Sequence, residues 1–142
     1  MGIATRTGHL LVEIYPATSR HGVFARVPGG GIEFGETAAE AVRREFEEEL
    51  AATLTAADPL AVTENIFTSG DVTGHEVVHV FAIRSPELDA LPLDGELRVL
   101  DNHTTVRWVP LSALREEDPP LYPVGVIRLA EAQDAASGPS SG

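Results

Sequence analysis

The 142-residue chain contains no cysteine, which excludes disulfides, thiolate zinc sites and cysteine nucleophiles together. Lysine is missing as well: all ten basic side chains are arginine, so neither a lysine Schiff base nor a Walker-type phosphate lysine is available. Positive charge is scarce, with 22 acidic residues against those ten and a formal net charge of −12. Polymer phosphates demand a basic surface, so no nucleic-acid polymer is expected as a partner. A small phosphorylated ligand remains compatible, because divalent cations bridge two anions. No run approaches the roughly 18 apolar residues of a membrane span, and no membrane partner is expected. The N-terminal MGIATRTGHLL lacks the basic-then-apolar layout of a signal peptide, so the expected location is cytoplasmic.

What is present suits one globular domain. Hydrophobic residues make up 43% of the chain, enough at this length to bury a core. A single domain is expected over residues 1–136. The polar SGPSSG at 137–142 reads as an appended expression tail rather than fold. Branched and aromatic runs predict strands over Leu10–Tyr15, Val23–Val27, Leu60–Phe67, Glu76–Arg84 and Thr104–Val109. The third and fourth flank a turn-rich TSGDVTG, a hairpin arrangement. Thr37 with Glu40 three residues later forms a capping box, predicting a helix from about Ala38 to about Ala51. Pro86–Asn102 reads as a loop with a short extended piece, Ser112 as the cap of a short helical turn, and Val124–Ala136 as a last helix. Strands with interspersed helices predict an α/β sandwich with a mixed β-sheet.

The densest chemistry lies in GGGIEFGETAAEAVRREFEEEL, Gly29 to Leu50, where seven glutamates follow a glycine triplet. At about 100° per residue, Glu45, Glu48 and Glu49 share one helical arc, while Ala39, Val42, Phe46 and Leu50 form the adjoining apolar stripe. Like charges at these spacings repel by about 0.2–0.5 kcal/mol per pair, and they sit toward the helix C-terminus, where the dipole disfavours anions. A charged surface helix would interleave signs. A hard divalent cation with oxygen ligands reverses the cost. Gly29, Gly30 and Gly31 allow close backbone approach, and Glu36 stands just before the helix, near enough to join the acids.

These residues follow a known signature. Gly30, five residues, Glu36, seven residues, then Arg44-Glu45-Phe46, Glu48 and Glu49 resemble the Nudix box of the Nudix hydrolases. The box spans Gly30–Ala52, with the final glycine replaced by Ala51 and the last hydrophobe by Ala52. VPGGGIEFGE and RWVPLSAL resemble further parts of the family. The resemblance implies a Nudix-type α/β/α sandwich and metal-dependent cleavage of the diphosphate linkage of a nucleoside diphosphate derivative. Nucleotide sugars, ADP-ribose, dinucleoside polyphosphates and modified nucleoside triphosphates all qualify as the substrate. It implies Mg²⁺, with Mn²⁺ as substitute, held by Glu45, Glu48 and Glu49 as the catalytic acids. A backbone carbonyl near Gly29 or Gly30 would add a ligand, Glu36 would be an outer acid, and Arg44 would orient the carboxylates. It is compatible with a homodimer.

Substrate contacts are less legible. Arg26, Phe24, Arg84 and Trp108 are the substrate-binding candidates, with Phe34, Phe67, Arg20 and Arg107 as further aromatic and basic side chains. Glu76 and Glu87 are candidates for a base outside the helix. The segment HEVVH, His75–His79, fits a zinc-protease pattern, but its valine-rich setting predicts a strand. There, residues four apart lie about 13 Å from each other, too far for two zinc–nitrogen bonds of about 2 Å. A catalytically silent nucleotide-binding or sensor module is the alternative reading; the intact acids speak against it.

Overall fold

The computed structural model describes residues 1–100 and 103–137, apart from the side chain of Ser69. The strands are β1 (Gly2–Ile3), β2 (Thr5–Arg6), β3 (His9–Tyr15), β4 (Phe24–Arg26), β5 (Ala56–Ser69), β6 (Val72–Arg84), β7 (Glu96–Arg98), β8 (Thr105–Pro110) and β9 (Leu121–Tyr122). The helices are α1 (Ala38–Leu50), α2 (Pro86–Asp89), α3 (Leu111–Arg115) and α4 (Val126–Ser137).

They build two mixed sheets rather than one. The first has the order β1-β6-β5, with β1 parallel to β6. The second runs β7-β8-β3-β4-β9, with β2 also on β3 and β9 parallel to β4. Strand alternation sorts the core into two layers. Leu11, Phe81, Ile83, Val106 and Trp108 pack with Val42, Phe46 and Leu50 of α1. Leu10, Val12, Val78, Val80 and Val109 face the other way, toward Leu114 of α3 and Val126 and Ala130 of α4. The sheets thus lie between helical layers, the α/β/α sandwich expected.

The capping box forms as predicted: Thr37 Oγ1 accepts from the Glu40 amide at 3.1 Å, and the Thr37 amide donates to Glu40 Oε1 at 3.1 Å. The apolar stripe is Ala41, Val42, Phe46 and Leu50, with Ala39 only half-buried beside it. The helix ends at Leu50, one residue early, because Ala51 turns left-handed at φ 52° and ψ 35°. Its amide reaches back to the carbonyls of Glu47 and Phe46, satisfying helix-end acceptors. Ala52, a weak apolar residue by sequence, is fully buried.

Three expectations change. The 60s and 70s form one continuous antiparallel ribbon pairing Ala56↔Arg84 through Ser69↔Val72, so the turn is only Gly70-Asp71 and not the whole of TSGDVTG. Segment 86–100 contains α2 and β7 rather than mainly loop; Asp101 and Asn102 lie outside the described residues. Ser112 sits inside α3, whose N-cap is Pro110 without a side-chain cap. That helix is held by burial of Leu111 and Leu114 instead, which a search for capping residues does not detect. Of the expected tail, Ser137 closes α4 and 138–142 lie outside the described residues.

Candidate active site

The loop from β4 to α1 brings the glycines against the helix. A Cβ added to Gly30 would collide with the carboxylate of Glu45, so any side chain here would push that carboxylate away. Gly29 takes φ 149°, also a glycine conformation.

Arg44 organises the acids. Its Nε donates to Glu36 Oε2 at 2.7 Å and its Nη2 to Glu36 Oε1 at 2.8 Å, a bidentate pair. Nη1 donates to Glu45 Oε1 at 2.9 Å and Glu48 Oε2 at 3.2 Å, and Nη2 also reaches the Gly31 carbonyl at 3.0 Å. One guanidinium therefore ties the outer acid, two helix acids and the glycine loop together. The bonds from Arg44 hold the Glu36 carboxyl down at about 2.

Glu49 differs. Burial, then its hydrogen bond to Glu45 and the charges of Glu45, Glu13 and Glu48, push it up to about 7. Two carboxylates in contact share a proton there. Among the described residues, no three acidic or histidine side chains are gathered as a metal ligand set, because Glu36, Glu45 and Glu48 turn toward Arg44. The donor chemistry nevertheless fits a hard divalent cation: all donors are oxygens, and the Glu45–Glu49 contact holds a proton where a cation would serve.

Beneath the helix lies a residue that the sequence reading passed over. Glu13 on β3 is only 5% exposed. Thr104 Oγ1 donates to its Oε1 at 2.5 Å and Tyr15 Oη to its Oε2 at 3.1 Å. Burial, followed by the Glu13 charge and hydrogen bond, raises Tyr15 to about 12. The available signal was a lone charge inside LLVEIY.

One cleft borders the glycine loop that lies against Glu45, and a second shares Arg26 and Glu76 with it. One, of about 340 Å³, lies between the glycine loop, Ala41 and Val42 of α1, and Glu76 to His79 of β6. The other, of about 380 Å³, is aromatic: Phe24 and Tyr122 form one wall and Phe67 with Asn65 the other. Arg26 and Glu76 line both clefts, with Arg26 Nη2 3.6 Å from Glu76 Oε1. Phe24 stacks on Tyr15 with centroids 4.8 Å apart.

Of the substrate candidates, Arg26 and Phe24 therefore reach a cleft. Arg84 and Trp108 do not come to these clefts. Arg84 is exposed at the end of β6 and pairs with Asp89 at 3.4 Å. Trp108 is 3% exposed in the core, under the Arg6 guanidinium at 5.1 Å. Sequence cannot separate a stacking aromatic from a packing one, since both are apolar and flat. Glu87 accepts from the Thr53 amide at 2.7 Å and serves the exit of α1. Glu76 stands on a strand rather than a loop. His75 and His79 lie on strand β6, as their setting predicted, with His75 paired to Glu64 at 2.7 Å.

An acid-bearing helix behind a glycine loop on such a sandwich defines a pyrophosphohydrolase. The chain belongs to the Nudix family: the model of the NUDIX domain matches residues 3–125. Its structure is similar to a MutT NUDIX hydrolase from Burkholderia pseudomallei (26% identity, TM-score 0.61, covering 93% of this chain and 92% of that one). It is also similar to the ORF135 protein of E. coli (25% identity, TM-score 0.59, 98% and 90%). A NUDIX hydrolase from Nitrosomonas europaea shares the fold at 14% identity (TM-score 0.63, 96% and 86%). No curated protein matches the sequence. Among the described residues, no helix is long and apolar enough to cross a membrane.

Proposed function

We propose that the protein hydrolyses the diphosphate linkage of a small nucleoside diphosphate derivative with Mg²⁺, or Mn²⁺ in its place. The observation that carries this reading is the Arg44 network, which gathers Glu36, Glu45, Glu48 and the Gly31 carbonyl beside Glu49. Glu45, Glu48 and Glu49 would hold the metal, with a carbonyl of Gly29 or Gly30 and the outer Glu36 in support. When bound there, a divalent cation would supply charge neutralisation for the diphosphate and a lower barrier to water attack.

The chain's own residues prepare that chemistry. Arg44 keeps Glu36, Glu45 and Glu48 close together before substrate arrives, and the acids would turn from its guanidinium toward a cation. The absence of a side chain at Gly30 lets the loop lie against Glu45. Arg26, bordering both clefts, is placed to meet an anionic group entering from the aromatic side.

The test is a product-release assay over nucleotide sugars, ADP-ribose, dinucleoside polyphosphates and modified nucleoside triphosphates, with Mg²⁺, Mn²⁺ or chelator. Metal-dependent cleavage of one class is expected. Glu48→Gln should lower kcat by at least about 100-fold in a protein that stays folded. Full activity in that variant would remove Glu48 from the site.

A further inference from the structure

The aromatic cleft is more than a continuation of the acid site. Its two walls come from different sheets: Phe24 and Tyr122 from β4 and β9, Phe67 and Asn65 from the β5–β6 ribbon. Tyr122 is 43% exposed and Phe67 47% exposed. Aromatic side chains left this open, opposite each other across a cleft, suit a flat ligand inserted between them. Phe67 is held in position by Gly74 across the ribbon, where any Cβ would run into its ring.

The polar group in this slot is Glu76, and its partners are specific. Asn65 Nδ2 donates to Glu76 Oε1 at 2.9 Å, and Arg26 Nη2 approaches the same oxygen at 3.6 Å. Both fall on Oε1, which keeps a second lone pair, while Oε2 accepts no hydrogen bond among the described residues, so both oxygens can still accept from a ligand. One of the two amide hydrogens of Asn65 goes to Glu76, so Asn65 keeps one N–H and its carbonyl oxygen. The carboxylate of Glu76 is thus the anionic acceptor among the residues that line the slot.

Among the common bases, only guanine offers two adjacent N–H donors, at N1 and the 2-amino group, to a carboxylate. Adenine and cytosine place a ring-nitrogen acceptor beside their single amino group, and that lone pair repels a carboxylate. Uracil carries one N–H between two carbonyls. We propose that the slot between Phe24, Tyr122 and Phe67 selects guanine nucleotides, with Glu76 as the specificity-determining residue. This rests on reading the cleft as the substrate's nucleotide site, and it assigns Glu76 to base recognition rather than to proton transfer.

The test is equilibrium binding of GMP, AMP, CMP and UMP to the full chain by calorimetry, in chelator, so that neither metal nor turnover is involved. GMP is expected to bind about tenfold tighter than the other three. Glu76→Gln should bring GMP to parity with them. Phe67→Ala should weaken all four by about tenfold while leaving their order unchanged. Circular dichroism checks that both variants remain folded; Phe67 and half-buried Glu76 share the ribbon face of buried Val78 and Val80, toward its hairpin end. The proposal is overturned if another base binds tightest, if none binds, or if the GMP preference survives in folded Glu76→Gln. A protein that prefers GMP here but cleaves nothing with Mg²⁺ would overturn the hydrolase reading alone. An active hydrolase without base preference would overturn only this inference.

Discussion

Ala51 occupies a left-handed conformation, φ 52°, at the place where the Nudix box has glycine. A Cβ there costs roughly 1–2 kcal/mol against the preferred backbone, while glycine gives back part of that gain as unfolded-chain entropy. Ala51→Gly should therefore stabilise the protein by about 0.5–1 kcal/mol, seen as a rise in Tm of roughly 2–4 °C in a thermal melt. An unchanged or lower Tm would mean that the helix exit is not left-handed. The metal-site acids should be indifferent to this change, because the substitution alters backbone cost and removes no carboxylate. At this scale the box was legible residue by residue, down to the departure at its end. Glu13 was not, since its closeness to Glu49 depends on how α1 lies over β3.

The element that matters most is α1, and its electrostatics give a pH prediction. Glu49 sits at about 7 in the folded protein against an ordinary 4.5. Between those values the folded state holds a proton that the unfolded chain has lost. Stability from this group therefore falls as pH rises through the window, and the full cost is present above it. Glu36 has the opposite sign: held at about 2, it contributes stability above its ordinary range that is lost only as pH falls toward 2. In metal-free protein, Tm should drop between about pH 5.5 and about pH 8, and the drop should be smaller in Glu49→Gln. Added Mg²⁺ should raise Tm more at the higher pH, where the carboxylate is free of its proton. A wild-type drop no larger than the variant's would remove Glu49 as its source.

For the whole molecule, the acids stand at the border of a helix that is fastened by other means. Phe46 and Val42 are 1% and 3% exposed in the core shared with both sheets. Chelation should thus abolish turnover while far-UV circular dichroism stays unchanged and Tm falls by only a few degrees, unlike a domain folded around structural zinc. Collapse of the fold in chelator would show that the cation is part of the core. The net charge of −12 acts at the same scale, making a cation the natural intermediary for any phosphate ligand.

Sequence alone was sufficient for α1, its cap, its apolar stripe and the acid pattern, because capping and i, i+3, i+4 neighbours are local properties of one helix. It was sufficient for the strand nature of HEVVH for the same reason, a short window of β-branched residues. The division into two sheets, the continuous β5–β6 ribbon and the burial of Trp108 came only with the tertiary structure. So did the slot in which Glu76 and Asn65 face Phe24 and Tyr122. Those features depend on pairings such as Ala25↔Leu121, which join segments that no local pattern relates, and on the register of the ribbon, which the hairpin pattern left open.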